Sequence, residues 1–259
     1  MKYLYLSILA LIILFSCETR QQGEGPQKNG KQSPNPPAEG FDVTGSDPKA
    51  IEIADKVMEA MGGRKNWDNE RYFTWNFFGS RTLWWDKLNG DVRIQMHNPD
   101  STIILVNIFN KTGRVFSQGA EYTQPDSVTK YVKRGEGIWI NDAYWLFMPF
   151  KLKDTGVTIT YVREDTTQNG ILSDVLQLTF RDVGNTPQNK YHIWVDRSDN
   201  LVKQWAFYRE NDMSEPNFIT PWVGYEKYGS ILLAGDRGQR KITNIEVPEY
   251  MNESQFRDF

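Results

Sequence analysis

The side chains able to do acid–base or covalent chemistry are few and scattered. The 259 residues include one cysteine, Cys17, and two histidines, His97 and His192. A single cysteine rules out a disulfide framework within the chain, and two histidines argue against a histidine-based metal centre. There is no GxSxG elbow, HExxH motif, P-loop, GxGxxG fingerprint or paired CxxC. Gly135-Glu136-Gly137 falls short of a phosphate cradle and reads as a helix break. His192, mid-strand between Tyr191 and Ile193, reads as a hydrogen-bonded structural residue, and His97, just before Asn98-Pro99, as a solvated one. Asp86, Asp142 and Asp196 are the carboxylates from which a glycosidase pair would be drawn, because that chemistry needs an acid and a base or nucleophile at a set separation. Their spacing places no two of them together, and acidic strand ends serve solubility. The expectation is a non-enzymatic protein with no cofactor and no metal.

Cys17 carries a different chemistry. Met1-Lys2 gives a positive start, and Tyr3 to Phe15 is an apolar run of about 13 residues, shorter than the ~20 a spanning helix needs. Residues 1–16 therefore read as a secretory signal peptide. The ending Leu14-Phe15-Ser16-Cys17 resembles the bacterial lipobox, with an aliphatic residue at −3 and a small one at −1. That resemblance implies diacylglycerol transfer to the Cys17 thiol, cleavage before it, and acylation of the new amino terminus. The expected address is the bacterial cell envelope, with the membrane as a partner through the lipidated Cys17. Glu18 rather than Asp after the cysteine favours the outer membrane over the inner one. A formal charge of −3 leaves no basic field for nucleic acid.

The elements that must position anything else begin after a linker. Residues 17–46 comprise the anchor and a Gly-, Pro-, Gln- and Ser-rich stretch that reads as disordered, because it cannot bury enough apolar surface to offset its ordering entropy. Asp47-Pro48 opens a domain over 47–250, and 251–259 reads as a polar tail. Asp47 is placed to cap a helix with Pro48 at its first position. Ile51, Ala54, Val57, Met58 and Met61 make a helical stripe that Gly62-Gly63 ends, with Trp67 packing against it. The period then becomes two. Strands are expected at 71–78, 80–87, 91–97, 101–109 and 113–118, punctuated by Asn89-Gly90, Asn98-Pro99-Asp100 and Asn110 to Gly113. From Pro125 to about Lys153 the pattern predicts two short helices separated at Gly135-Glu136-Gly137. Strands resume at 157–163, 173–181, 189–196, 201–209, 217–228 and 240–247. The fold class expected is α+β: one curved antiparallel sheet of about eleven strands, an open half-barrel, with the first helix and the helical insertion over its concave face.

A sheet that wide must curl or split, and its concave wall has more apolar surface than two or three short helices cover. Aromatic residues are abundant, with 9 Trp, 12 Tyr and 14 Phe. Trp75, Phe77, Trp84, Ile104, Val106, Trp139, Trp145, Phe147, Trp194 and Trp205 are the candidates to line a cavity for a hydrophobic small molecule or acyl chain. Trp84 and Trp85 are consecutive, so a strand sends only one of them inward. The competing reading of these rings is ordinary core. Another is a surface glycan-binding lipoprotein with exposed aromatic platforms.

The element order resembles the lipoprotein-carrier (LolA/LolB-like) superfamily, which includes the periplasmic carrier and outer-membrane receptor of the Lol pathway. The residues that carry the resemblance are Ala54 to Gly63 with Trp67, and the strand–turn–strand of Tyr191-His192-Ile193-Trp194-Val195-Asp196 and Asn200-Leu201-Val202-Lys203-Gln204-Trp205. It spans about residues 47–248. The resemblance implies an open half-barrel with helices across its mouth and an apolar interior that holds acyl chains in lipid or lipoprotein trafficking. Anchoring through Cys17 is similar to the anchored members rather than the diffusing carrier. The polar turns at 98–100, 110–113 and 184–189 lack the protruding apolar loop of the receptors.

Overall fold

The computed structural model describes residues 33–259. The signal segment, Cys17 and the linker up to residue 32 lie outside the described residues. Apolar alternation builds the first sheet. Strands β1 (Tyr72–Phe77), β2 (Arg81–Asp86), β3 (Asp91–Met96), β4 (Ile103–Asn107), β5 (Thr112–Ser117) and the short β6 (Ala120–Glu121) run as an antiparallel meander. Their register aligns Trp75, Leu83, Ile94, Ile104 and Val115 in one row across five strands, each of them fully buried. The row beside it is Phe73, Trp85, Val92, Val106 and Gly113. Strand β1 continues on its other side into β14 (Arg240–Glu246), β13 (Ile231–Arg237) and β12 (Val223–Tyr228), completing nine strands.

A second antiparallel sheet of five strands comprises β7 (Val157–Thr166), β8 (Leu172–Phe180), β9 (Lys190–Asp196), β10 (Val202–Tyr208) and β11 (Phe218–Pro221). The two sheets meet where the chain passes from β11 to β12 at the buried Trp222. The Trp222 amide donates to the Lys203 carbonyl at 2.8 Å, and the Thr220 hydroxyl donates to the Arg237 carbonyl at 2.8 Å. Neither sheet closes into a barrel. The α+β architecture with antiparallel strands, a leading helix and a mid-chain helix is thus the one expected. The described strands number fourteen in two sheets, where about eleven in one sheet are predicted. The expected strand 217–228 divides at Pro221-Trp222, because proline has no N–H to extend the ladder. Strands β6 and β13 are additional.

Helix α1 (Pro48–Ala60) buries Ala50, Ile53, Ala54, Val57 and Met58. Ile53, Val57 and Met58 each contribute about 1.5–3 kcal/mol by that burial. Asp47 does not cap the helix with its side chain. Its carboxylate instead accepts from the Tyr161 amide at 2.8 Å, tying the helix start to β7. Gly62 and Gly63 end α1 with φ of 113° and 87°, and a Cβ on Gly62 would lie 2.7 Å from the Ser230 carbonyl oxygen. The short α2 (Arg64–Asn69) follows.

The insertion is one helix, α3 (Pro125–Phe147), running into a 3-10 turn (Met148–Lys151). The predicted break at Gly135-Glu136-Gly137 does not occur. Gly135 is buried where α3 lies on β4, and a Cβ there would be 2.9 Å from Ile104 Cγ2. Its missing side chain permits close approach of helix and sheet rather than a turn. One core cluster spans α1, α3, the 3-10 turn and the inner faces of both sheets.

Both ends of the described chain pack onto the sheets. Residues 38–42 follow the start of β7, with the Ala38 amide on the Lys153 carbonyl at 2.9 Å and the Asp42 amide on the Val157 carbonyl at 3.0 Å. Phe41 is buried and Asn35 donates to Asp55 at 2.8 Å, so ordered structure begins ahead of Asp47 and disorder does not extend to residue 46. The tail 251–259 folds back through α4 (Ser254–Arg257). Arg114 donates to the Arg257 carbonyl at 2.6 Å and lies over the Phe259 ring, and Arg93 donates to the Gln255 and Asp258 carbonyls.

Candidate functional site

Parity within each strand decides which rings face inward. Trp85 shares the inner row with Phe73 and Val92, so Trp84 faces outward, where the Arg93 guanidinium lies 5.7 Å from its ring. The inward tryptophan is therefore Trp85, not the candidate Trp84. Trp75, Ile104 and Val106 are core residues beneath α3, and Phe77 packs edge-on against Trp145 at 6.4 Å. Trp194 lies on the outer face of the five-stranded sheet with Val175, Ala206 and Tyr208. None of these six lines the cavity that the other four share, and Val106 borders a separate one of about 440 Å³ with Leu105, Arg114 and Phe256.

The other four meet around one. Trp139, Trp145, Phe147 and Trp205 are walls of a cavity of about 490 Å³, partly open to solvent, between the second half of α3 and the five-stranded sheet. That volume falls within the range of small-molecule sites, about 300–1,000 Å³. The helix supplies Trp139, Ile140, Ala143 and Tyr144, and the sheet supplies Val157, Phe180, Tyr191 and Trp205. Tyr191 and Trp205 stack at 5.1 Å with planes 7° apart, and Trp145 stands edge-on to Trp205 at 4.6 Å. The far end is Trp85 and Trp67. Trp67 lies flat on Phe150 at 4.5 Å rather than chiefly against α1.

The polar groups near the cavity position these rings. Arg237 is buried on β13 and donates to the Trp145 carbonyl at 2.7 Å and the Ala234 carbonyl at 3.0 Å, with its guanidinium 3.5 Å above the Trp222 ring. Desolvation lowers its pKa, but from so high a starting value that it stays charged at neutral pH. It thereby meets the Trp145 carbonyl near the end of α3 with positive charge. Lys87 does the same at the end of α2, donating to the Trp67 carbonyl and, at 3.2 Å, to that of Asp68. Burial lowers the Lys87 pKa to about 8. The Tyr144 hydroxyl is enclosed without a partner, and burial holds it well above the usual phenol range.

The rim is hydrophilic: Asn141, Lys151, Asp154, Thr155, Asn185 and Thr186. The loop between β8 and β9 provides the last two, and Asn185 donates to the Gly137 carbonyl at 3.1 Å, joining that loop to α3.

The acid–base candidates are dispersed and each is engaged in local bonding. Asp86 accepts from Arg71 at 2.9 and 2.7 Å and closes the β2–β3 turn through the Leu88 and Asn89 amides. Asp142 pairs with Arg81, and Asp196 accepts from Ser198 at 2.8 and 2.7 Å. His192 lies between Gln177 at 3.2 Å and Tyr208 at 3.1 Å, as expected of a structural histidine, and burial lowers its pKa to about 4. His97 is exposed and bridges Thr82 and the Gly79 carbonyl, both at 3.0 Å. All nine tryptophans are buried or half-buried, and the exposed aromatic rings of the described residues include Phe109, Phe218 and Tyr250.

Sequence reasoning missed Trp67, Phe180 and Tyr191 as cavity walls. The alternation in β8 and β9 carries the signal for Phe180 and Tyr191, once the inner face is identified. Nothing local to Trp84-Trp85 reveals which ring faces inward.

No protein-family model and no curated protein matches the chain. Among solved structures, it is similar to a DUF1329 family protein from Desulfovibrio piger, with 13% identity over 80% of this chain and 96% of that one and a TM-score of 0.43.

Proposed function

We propose that this protein is a lipid-anchored bacterial envelope protein that holds a lipid or other hydrophobic molecule beside α3 and carries it without chemical change. The observation that supports this reading is the aromatic-walled cavity of about 490 Å³ with its opening to solvent. Burying a methylene contributes about 0.8 kcal/mol, so ten contribute roughly 8 kcal/mol, enough to offset a modest association cost without a specific polar contact. The anchor rests on the Leu14-Phe15-Ser16-Cys17 pattern, and Glu18 favours the outer membrane. A tethered protein with such a cavity suits lipid or lipoprotein trafficking within the envelope.

Mass spectrometry of organic extracts from the protein purified without detergent tests the binding. The expected result is a co-purifying hydrophobic compound near one per chain. A protein free of extractable lipid that also ignores added lipid overturns the reading.

A further inference from the structure

The rim of the cavity is built from three pieces of chain, and two of them are clamped. Helix α3 contributes Asn141 and is pinned by the Arg81–Asp142 pair and by Arg237 on the Trp145 carbonyl. Lys151, Asp154 and Thr155 form the second side. The Thr155 hydroxyl donates to the Glu39 carbonyl at 2.7 Å, and the Gly156 amide donates to the Gly40 carbonyl at 2.9 Å. These bonds lock that side to the chain ahead of α1. Moving either piece breaks a buried pair or several hydrogen bonds at once.

The third piece is the loop between β8 and β9, which supplies Val183, Gly184, Asn185 and Thr186. Its base is fixed, with the Arg181 amide on the Gly156 carbonyl at 2.9 Å and Val183 resting against Gly156. Beyond that base the loop stands in solvent: Asp182, Gly184, Asn185, Thr186 and Gln188 are exposed. Among the described residues, the Asn185 side chain on the Gly137 carbonyl, at 3.1 Å, is the one hydrogen bond from residues 182–188 to another element. Thr186 bonds only within the loop, accepting from Asn189 at 2.6 Å. Asp182 and Gly184 hold positive φ of 56° and 72°. Few buried contacts and one exposed bond make this the part of the site that opens at least cost.

We propose that residues 182–188 are the gate of the cavity. The loop swings about Asp182 and Gly184 to widen the mouth, and the Asn185–Gly137 hydrogen bond is its latch. This rests on the ligand-binding reading above and adds how exchange of the guest is controlled. The latch joins protein to protein and not to the guest, so it slows entry and exit alike and leaves affinity nearly untouched. Loss of one such hydrogen bond shifts the opening equilibrium by about two- to tenfold.

Stopped-flow fluorescence of N-phenyl-1-naphthylamine with the purified protein tests the gate. In Asn185→Ala the association and dissociation rate constants are expected to rise together by about two- to tenfold, with Kd little changed. Gly184→Ala is a second variant. A Cβ there meets nothing within 4 Å, so the methyl acts only by disfavouring the positive φ, and both rates are expected to rise severalfold. Both variants are expected to keep the cooperative urea transition of wild type. Unchanged rates in either variant overturn the gate while leaving a binding cavity in place. A rise in dissociation alone, with weakened affinity, also overturns it, because Asn185 would then hold the guest itself. Wild-type protein that binds no dye overturns the gate and the binding reading together.

Discussion

Arg81 and Asp142 are joined by two parallel hydrogen bonds of 2.6 Å, which fix the second half of α3 to the start of β2. Asp142 is fully buried. Burial raises its pKa, and the guanidinium opposes that rise. Removing the arginine leaves a buried carboxylate alone, so Arg81→Met is expected to cost about 3 kcal/mol or more at neutral pH in urea unfolding. A carboxylate whose folded pKa is raised binds its proton more readily when folded, so its penalty shrinks as pH falls. The deficit of Arg81→Met is therefore expected to be smaller near about pH 5 than at neutrality. Adding Asp142→Leu should recover much of the loss, as for other buried pairs replaced by apolar side chains. A neutral effect of Arg81→Met would mean that the pair does not hold the helix.

Gly135 and Gly137 look alike in sequence and differ in what a methyl would meet. At Gly135 a Cβ would lie 2.9 Å from Ile104 Cγ2 and 3.3 Å from Val106 Cγ1. Overpacking of about 1–3 kcal/mol outweighs a helix-propensity gain of about 1 kcal/mol, so Gly135→Ala is expected to destabilise. At Gly137 the nearest atom is Asn185 Nδ2 at 3.6 Å. Gly137→Ala is expected to stabilise by about 0.5–1 kcal/mol. Urea midpoints with unchanged slopes check both, and equal effects would contradict the seating of α3 on β4.

The same glycines show where the sequence was readable. Alternation exposed the inner face of β4 at Ile104 and Val106, and Asn89-Gly90 marked the β2–β3 turn, because both signals are local. Gly135 permits a break or a close helix–sheet contact, and only the partner strand decides between them. The inward choice between Trp84 and Trp85 depends on register against β1 and β3, which no stretch of a few residues encodes. Strand β13 hid behind Gly235, whose Cβ would meet the Ile242 carbonyl oxygen at 2.3 Å. Of the ten cavity candidates, the four that line the cavity come from the second half of α3 and from β10.

His192 gives the acid limb a defined contribution. Its pKa is depressed from 6.5 to about 4, first by burial and then by the nearby Lys190 and Arg163 charges. The unfolded chain takes up the proton that the folded one refuses, so stability is lost as pH falls from 6.5 toward 4. His192→Gln, which retains hydrogen-bonding groups but cannot titrate, is expected to flatten that part of the pH–stability profile. A profile parallel to wild type would show that the histidine charges without penalty.

Cys17 governs the proposed address. Cys17→Ser is expected to leave the protein unprocessed or soluble, measured by fractionation and by loss of acyl mass from the mature amino terminus. An unchanged membrane fraction would contradict lipid anchoring.

The cavity itself is tested most directly by filling it. Ala143 lines it from α3, and Ala143→Trp adds an indole into that space. N-phenyl-1-naphthylamine, a neutral apolar dye that brightens out of water, reports the free volume. The account expects saturable binding near one dye per wild-type chain, and its loss in Ala143→Trp with the cooperative unfolding transition retained. Equal dye binding by the two proteins would place the guest elsewhere, and none by wild type would leave the cavity without a function.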